Sequence, residues 1–545
     1  MKNIDVKIHS NNWEQSASPA GYVRGTVFVD GIHLHGAAIM EQLPIATDSI
    51  DKWKKALVCL NGFFSFVHIR ENEIIAAVDR VRSIPIFYGT TNNKVYLSDD
   101  AEWVRLQVGD SEMDPVARDE FQLTNYVTGK DTLFPNVKQL QAGELLRITC
   151  TDKEPNVQTY RYYSFTHTEP EEWEEPTLRE ELGRVTEAAF QRLIQYADGR
   201  QIVVPLSGGY DSRLIVAMLK RLGYDNIISF TYGAPGNKES EYSRKVAHAL
   251  GVKWHFVEYS KEKWRKAWDT DERINFQLWS SGWASLPHVQ DWLAVKEMKA
   301  ENAVKADCIF VPGHTGDFIA GGHLPDITFA PRAFNDADLA KSILELHYQR
   351  TPLQYIEHKD RSFWKSRLLL RTETKHVGSN HEFANGFEKW DWQERQAKFI
   401  CNSVRVYDFF GYEWWMPLWD AEFMAFWEDV PLDLRRGRVW YLGYVQEIYK
   451  DQTSHSPLGN ASETGWLKKA AKRIVAKMGS SIYQRIWLLH NQKYVMKHIV
   501  NPYARFPAVI VCHLTKKGFN VNGIEAYMYL KDMNHFLCTL SDQTS

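Results

Sequence analysis

Six cysteines are scattered over 545 residues, at positions 59, 150, 308, 401, 512 and 538, and no two form Cys-x-x-Cys. Neither a zinc site nor a disulfide framework is indicated by that spacing. Charge of one sign is also missing. The 65 Lys and Arg nearly balance the 68 Asp and Glu, which leaves no global field to draw nucleic acid. No apolar run approaches the ~20 residues of a membrane span. The start, Met1-Lys2-Asn3-Ile4-Asp5, does not have the form of a signal peptide, so the cytoplasm is the expected compartment. The phosphate-loop pattern Gly-x-x-x-x-Gly-Lys-Ser/Thr is absent, as are internal repeats and low-complexity runs. What remains is ordinary globular composition, 44% hydrophobic and 24% charged. The length suggests about three or four domains. Twenty Trp residues point to aromatic-rich core or grooves without naming a ligand.

The stretch with the strongest chemical signal is Val203-Val204-Pro205-Leu206-Ser207-Gly208-Gly209-Tyr210-Asp211-Ser212-Arg213. An apolar, β-branched run leads into Ser-Gly-Gly, and then into Leu214, Ile215, Met218, Leu219 and Leu222 at helical spacing. The segment therefore predicts strand, glycine turn, helix. A glycine turn lets the backbone approach a ligand, and free N–H groups at the helix start make an anion seat. Asp211 adds a hard oxygen suited to Mg²⁺ on a polyphosphate. Ser-Gly-Gly-x-Asp-Ser resembles the pyrophosphate loop of the ATP pyrophosphatase enzymes, which split ATP between its α and β phosphates. The bland alternative is a tight strand-to-helix turn with incidental glycines.

Residues 1–165 read as short strands and turns, for example Gly21–Val29, Ile74–Val78 and Lys94–Leu97 after the turn-forming Asn92-Asn93. Three pieces resemble the glutaminase domain of asparagine synthetases: Leu60-Asn61-Gly62-Phe63-Phe64-Ser65-Phe66, Asp79-Arg80 with Ile84-Pro85-Ile86-Phe87-Tyr88, and Tyr96-Leu97-Ser98-Asp99. Leu133-Phe134 through Gly143 completes the order. The resemblance implies an Ntn-like αββα sandwich. That glutaminase needs a Cys at the mature N-terminus as nucleophile. Position 2 is Lys here, and the first cysteine, Cys59, sits in the apolar run Ala56–Leu60, where inert packing is expected. A degenerate glutaminase domain, as in β-lactam synthetases, follows as the expectation. His33 and His35 would share one face of a strand, as a metal pair might be placed, but no third ligand is near. Residues 166–176 are acidic, Pro-punctuated and aperiodic, and are expected to be a linker.

From Gln201 strands and helices alternate: 201–206, helix 211–222, strand 226–232, helix 239–250, strand 253–258, and a strand at 307–311. This is the pattern of a parallel sheet with crossover helices, whose ligands bind beyond the carboxyl ends of strands. Tyr232-Gly233 resembles the synthetase edge that holds the nucleotide base. Pro312-Gly313-His314-Thr315-Gly316-Asp317, running on to Gly321-Gly322, resembles the family's Ser-Gly-Glu-Gly-Ser-Asp box, with Asp317 on its second Mg²⁺-binding Asp. Glu413–Phe423 resembles the family's Glu-x-Arg-x-Pro-Phe-Leu-Asp box. Arg438 falls nearest the Lys that neutralises pyrophosphate, and Arg offers a bidentate fork there. His314 occupies a position that is Glu in asparagine synthetases and Tyr in β-lactam synthetases. Imidazole titrates near pH 6.5 and could take a proton from an attacking amine, with Glu394 as the candidate to orient it. Alternatively His314 fills the turn or bonds a phosphate.

The resemblance implies a glutaminase-type sandwich (1–165), a linker (166–176), an asparagine-synthetase-like α/β ATP pyrophosphatase domain (177–455) and a helical C-terminal extension (456–545). The implied activity is an AMP-forming amide ligase using ATP and Mg²⁺. In it Pro205, Leu206, Ser207, Gly208, Gly209, Asp211, Ser212, Tyr232, Gly233, Pro312 and Gly313 would bind ATP, and Asp211 and Asp317 would hold the metal. The acyl substrate would be a small-molecule or sugar-acid carboxylate. Nitrogen would come from ammonia, a separate glutaminase, or an amine on the substrate itself. An intramolecular, β-lactam-synthetase-like cyclase and a non-ligating ATP-binding relative are the alternatives, and a homodimer is compatible with either. Trp466–Met478 is a basic amphipathic stretch of the kind that rests on anionic membranes, though such helices more often pack on their own domain.

Overall fold

The computed structural model describes residues 3–453 and 506–544, apart from Pro19, 45–47, 71, 92–93, 151–154, 373 and 375. The expected turn at Asn92-Asn93 and the basic stretch Trp466–Met478 lie outside the described residues.

The N-terminal part stacks two sheets between two helical layers. One sheet has the order Ile4–Lys7, Lys94–Ser98, Phe87–Thr91, Val137–Gln139. The other runs Pro155–Arg161, Glu144–Cys150, Glu73–Val78, Asn61–Ile69, Ala20–Val29, Glu14–Ala17, and Ile32–His35 also pairs with Ala20–Val29. Strand periodicity assigns the faces. The cross-strand row Val23, Phe66, Ala77, Leu145 faces Trp53 and Leu57 of helix Ile50–Cys59. The adjacent row Val67, Ala76, Leu146 faces the other way, into the space between the sheets with Tyr88, Val95 and Leu97. Strands buried on both faces need apolar residues at consecutive positions, and Ile74–Val78 supplies them. This is the αββα sandwich.

Cys59 does not pack inside. It is exposed, because Ala56–Leu60 is the end of an amphipathic helix that turns Leu57 and Leu60 inward and Val58 and Cys59 outward. His33 and His35 part company as well. The His33 ring stacks on Phe28 at 5.0 Å, whereas His35 Nε2 lies 2.9 Å from Glu14 Oε1.

After helix Glu175–Ala197, an all-parallel sheet has the order Lys253–Glu258, Ile227–Gly233, Ile202–Pro205, Ile309–Phe310, Glu413–Trp414. Its last strand was not foreseen: two residues are too few for a periodic signal, and the segment reads only as a motif. The next turn, Trp415, packs against Phe63 at 4.9 Å and Tyr196 at 4.7 Å and so joins sandwich to sheet. Helix Val439–Thr453 lies on helix Asp211–Arg221. Helix Asn380–Asp391 runs without a break into a π-helix, Trp392–Ile400. Helix Val521–Thr544 returns to the sandwich, where Tyr529 stacks on Phe121 at 5.4 Å. No helix among the described residues is long and apolar enough to cross a membrane.

Phe66 lies fully buried, 5.9 Å from the Trp53 ring and 6.4 Å from Phe64. Phe66→Ala is expected to destabilise the sandwich by about 3–5 kcal/mol, the range for truncating a buried Phe. Urea unfolding followed by tryptophan fluorescence measures this, and an unchanged midpoint would refute the assigned face.

Candidate active site

The carboxyl ends of strands Ile202–Pro205 and Ile309–Phe310 bring two loops together. In the first, Ser207 folds the turn on itself: its N–H donates to Ser212 Oγ at 3.2 Å, and its Oγ accepts from Gly209 N at 3.1 Å. Helix Asp211–Arg221 then starts from Tyr210 with no side chain capping it. Helices Lys238–Ala249, Lys261–Trp268 and Asp271–Ser281 all have capping side chains. An uncapped start leaves backbone donors for an outside anion.

The second loop presses directly onto this helix start. A Cβ on Gly313 would lie 2.7 Å from Ser212 N, and one on Gly316 would lie 2.4 Å from Asp211 Oδ1, so only glycine fits. Between them Thr315 adopts φ +93°, a strained conformation for a β-branched residue. Arg438, at φ +62°, is a second such outlier. Its guanidinium lies 2.8 Å from Asp317 Oδ1.

A cavity of about 280 Å³ opens at this junction. It gathers Pro205, Leu206, Ser207, Gly209, Asp211 and Ser212 from the first loop. Tyr232, Pro312, Gly313 and His314 line it too, whereas Gly208 and Gly233 do not. Glu239 and Asp291 also line it, and no motif announced either. Burial pushes the carboxyl of Asp291 up, although the Tyr232 and Tyr407 hydroxyls donate to it. The wall carries no Lys or Arg. Polyphosphate charge would therefore meet backbone N–H groups and whatever cation the carboxylates hold.

Burial pushes the Asp211 carboxyl up to about 6; Arg438 and the Tyr441 hydroxyl oppose this, and Asp317 adds to it. Tyr441 Oη donates to Asp211 Oδ1 at 2.9 Å. Asp317 behaves in the opposite way. Its side chain is half exposed, and the neighbouring His323 and Arg438 outweigh its partial desolvation and hold it below the usual carboxylate range. His323 bridges two acids, with Nε2 3.5 Å from Asp317 Oδ2 and Nδ1 2.6 Å from the buried Asp391 Oδ2. Those carboxylates outweigh burial and push its imidazole up to about 9. The wider turn of the π-helix brings Gln396 to the same ring, 3.2 Å from Nδ1. Sequence reasoning passed over His323, although it directly follows the quoted Gly321-Gly322.

Two expectations need correction. Burial, with His288 nearby, lowers the His314 imidazole to about 3, so it is neutral across the physiological range instead of titrating near 6.5. Its partner is Ser403, with Oγ 2.5 Å from Nε2. Glu394 does not orient it. The Glu394 carboxylate, almost fully buried, accepts from Gly129 N at 3.0 Å and from Lys398 Nζ at 2.5 Å, at the junction with the sandwich. The π-helix turns Glu394 and Lys398 that way and Gln396 toward His323.

A sandwich of the amidotransferase kind is thus joined to a parallel-sheet domain whose carboxyl edge carries a glycine-loop pocket. The family model for asparagine synthase matches residues 186–447, and that for a glutamine amidotransferase domain matches residues 48–163. Asparagine synthetase (glutamine-hydrolyzing) 1 of Bacillus subtilis is 25% identical over 198 residues, covering 35% of this chain and 30% of that protein. A probable glutamine-hydrolyzing asparagine synthetase of Acanthamoeba polyphaga mimivirus is 39% identical over 103 residues, 18% of either chain. The chain thus spans at most 30% of the length of these curated relatives. A solved NH3-dependent NAD synthetase from Campylobacter jejuni overlaps 36% of this chain and 93% of its own at 13% identity, with a TM-score of 0.21, too loose to build on. Both domains are matched in this order on one chain, an asparagine synthase domain preceded by a glutamine amidotransferase domain, and the protein is similar to the asparagine synthetases in both.

The Asp211 carboxyl carries a testable sign. Its folded value of about 6 lies above the ordinary 3.8, so its contribution to stability is full below pH 3.8 and lost as pH rises through 6. In chelator-treated, nucleotide-free protein, Asp211→Asn should therefore melt higher than wild type at pH 7.5, with the gap closing toward pH 4. Thermal melts across that range decide it, and a gap independent of pH would contradict the shift.

Proposed function

We propose that the protein is an ATP-dependent, AMP-forming carbon–nitrogen ligase. A substrate carboxylate attacks the α-phosphorus of ATP, breaking the α–β bridge and releasing pyrophosphate. Ammonia or an amine then adds to the acyl-adenylate carbonyl, AMP leaves, and an amide remains. The observation that carries this reading is the uncapped start of helix Asp211–Arg221, where Asp211 and its neighbour Asp317 stand in the segments that follow two adjacent parallel strands. Ser207, Gly208, Gly209 and Ser212 would seat the pyrophosphate on backbone donors. Arg438 would draw negative charge off the departing pyrophosphate, a permanent cation where Lys would be a point charge.

Asp211 and Asp317 would hold Mg²⁺, and their chemistry fits. Both are hard oxygen donors, and a carboxyl raised by burial and by a second acid gains from a nearby cation. When bound, Mg²⁺ would supply charge neutralisation on the phosphate oxygens. For Asp317, a phosphate-bound cation would replace part of its pairing with Arg438 and free that guanidinium for pyrophosphate. The acyl substrate would be a small-molecule or sugar-acid carboxylate. Nitrogen would come from free ammonia, a separate glutaminase, or an amine on the substrate.

Incubation with ATP and a panel of carboxylates should yield AMP and pyrophosphate, and Asp211→Ala or Asp317→Ala should lower the rate about 10²-fold or more. ADP and phosphate as products would sink the mechanism regardless of the variants.

His314 would face the reacting carbonyl. Its imidazole, made weakly basic by burial and hydrogen-bonded to Ser403, would regain basicity beside the negative phosphate of the adenylate and then take the proton shed by the nitrogen as the amide forms. His314→Ala should keep substrate-dependent pyrophosphate exchange while amide formation falls about 10²- to 10⁴-fold. Equal loss of both half-reactions would make His314 a nucleotide-site residue and end the proton-acceptor role.

A further inference from the structure

Away from the pocket, His167 and Glu169 of the segment before helix Glu175–Ala197 meet His381, in the first turn of helix Asn380–Asp391. His167 Nε2, Glu169 Oε2 and His381 Nδ1 all lie within 4.8 Å of one another, the only such triple of His, Cys, Asp or Glu among the described residues. Nε2 is 3.1 Å and Nδ1 is 3.2 Å from the same carboxylate oxygen. That oxygen also accepts from Leu432 N at 2.9 Å.

The protons around the triple leave one nitrogen over, on His381. The fully buried His167 ring faces oxygen on both sides: the Glu428 carbonyl lies 3.1 Å from Nδ1, and Glu169 Oε2 faces Nε2. A neutral imidazole has one N–H for these two acceptors. Arg435 Nη1 lies 3.3 Å from Nδ1 and donates to it when that nitrogen carries no proton, and a second proton would set an imidazolium against this guanidinium. Donation from Nδ1 to the Glu428 carbonyl is the arrangement that metal-binding histidines adopt, and it leaves the Nε2 lone pair aimed at a carboxylate. Two acceptors at that distance need a cation between them. His381 repeats the pattern, since its Nδ1 is shielded from solvent and makes no hydrogen bond. The other tautomer of His167 accepts from Arg435 at Nδ1 and satisfies Glu169 with Nε2–H, and His381 Nδ1 is then the nitrogen of the triple left without a hydrogen bond.

We propose that His167 Nε2, Glu169 and His381 Nδ1 bind one divalent transition-metal ion of the zinc class, with water at the remaining position. Two imidazoles and a carboxylate suit zinc or cobalt and disfavour the oxygen-seeking Mg²⁺. The side chains of Glu169 and His381 are 26% and 41% exposed, which opens the site to solvent on that side. Its place in the fold gives it a structural role. It pins the segment before helix Glu175–Ala197 to Glu428 and Leu432, next to the Arg435 that reaches Ile319 O at 2.9 Å. The ion would thus hold the base on which Arg438 stands, without touching the reacting groups.

The test uses tag-free, full-length protein stripped with chelator and titrated with Zn²⁺ against a chromophoric competitor, then with Co²⁺. One ion per chain, tetrahedral Co²⁺ absorption bands, and a melting temperature raised by Zn²⁺ are expected. His381→Ala, at the partly exposed ligand, should bind at least about 100-fold more weakly, as should Glu169→Gln, while Asp211→Ala binds like wild type. No stoichiometric binding by wild type, or equal binding by His381→Ala and Glu169→Gln, would reduce the triple to a hydrogen-bonded cluster and overturn the proposal.

Discussion

The pair between Arg435 and Glu388 is the constraint on which the catalytic edge rests. Both side chains are fully buried, and the guanidinium grips the carboxylate with two donors while also donating to the Ile319 carbonyl. Burying two charges is expensive, and such a pair is weak grounds for claiming net stability. What it provides here is position. Helix Asn380–Asp391, the turn after Asp317 and the segment that leads to Arg438 meet at one planar fork. If the helix or the Arg435 segment moves, a buried charge loses its partner, and if the turn moves, a carbonyl does, so the three hold one arrangement. Gly321 lets Arg435 approach, since a Cβ there would lie 2.9 Å from the Arg435 Cβ.

Upon that base the two acids of the pocket take opposite electrostatic characters. Asp317 is surrounded by Arg438 and His323 and keeps its negative charge easily. Asp211 receives hydrogen bonds from the Tyr441 hydroxyl and the Asp317 backbone N–H, yet burial makes it resist ionisation. The charge balance of the pocket is therefore set toward accepting a cation at Asp211, while Asp317 already pairs with Arg438. The surrounding contacts hold Thr315 and Arg438 in strained backbone at this junction, and the glycines at 313 and 316 allow the close approach.

Sandwich and parallel sheet were legible because their signals are local and repetitive. The double-sided burial of Ile74–Val78 and the strand–helix alternation after Gln201 are written in consecutive residues. The glycine loop was legible for the same reason, since its chemistry lies within six positions. The rest depends on long-range contacts. His323 becomes a bridging cation only because Asp391 arrives from 68 residues away. Glu394 was chosen from the helical region to orient His314, but the π-helix turns it toward the sandwich, where Lys398 and the Gly129 amide satisfy it. His314 kept its predicted place but not its basicity, because burial cannot be read from a turn motif. Cys59 failed in the other direction, an apolar run masking the outward face of a short helix.

Helix Val521–Thr544 lies on helix Pro115–Thr124 of the sandwich, where Tyr529 stacks on Phe121, the Asn522 carbonyl accepts from Asn125 and Asp532 pairs with Arg273. During synthesis, some 400 residues must follow Phe121 before Tyr529 exists to cover it. At the usual pace of about 5–20 residues per second, this patch stays open to water for tens of seconds, and the sandwich emerges with one apolar side unfinished. A chaperone that reads exposed aromatics has that interval in which to bind, and completion of the first domain waits on translation of the last helix.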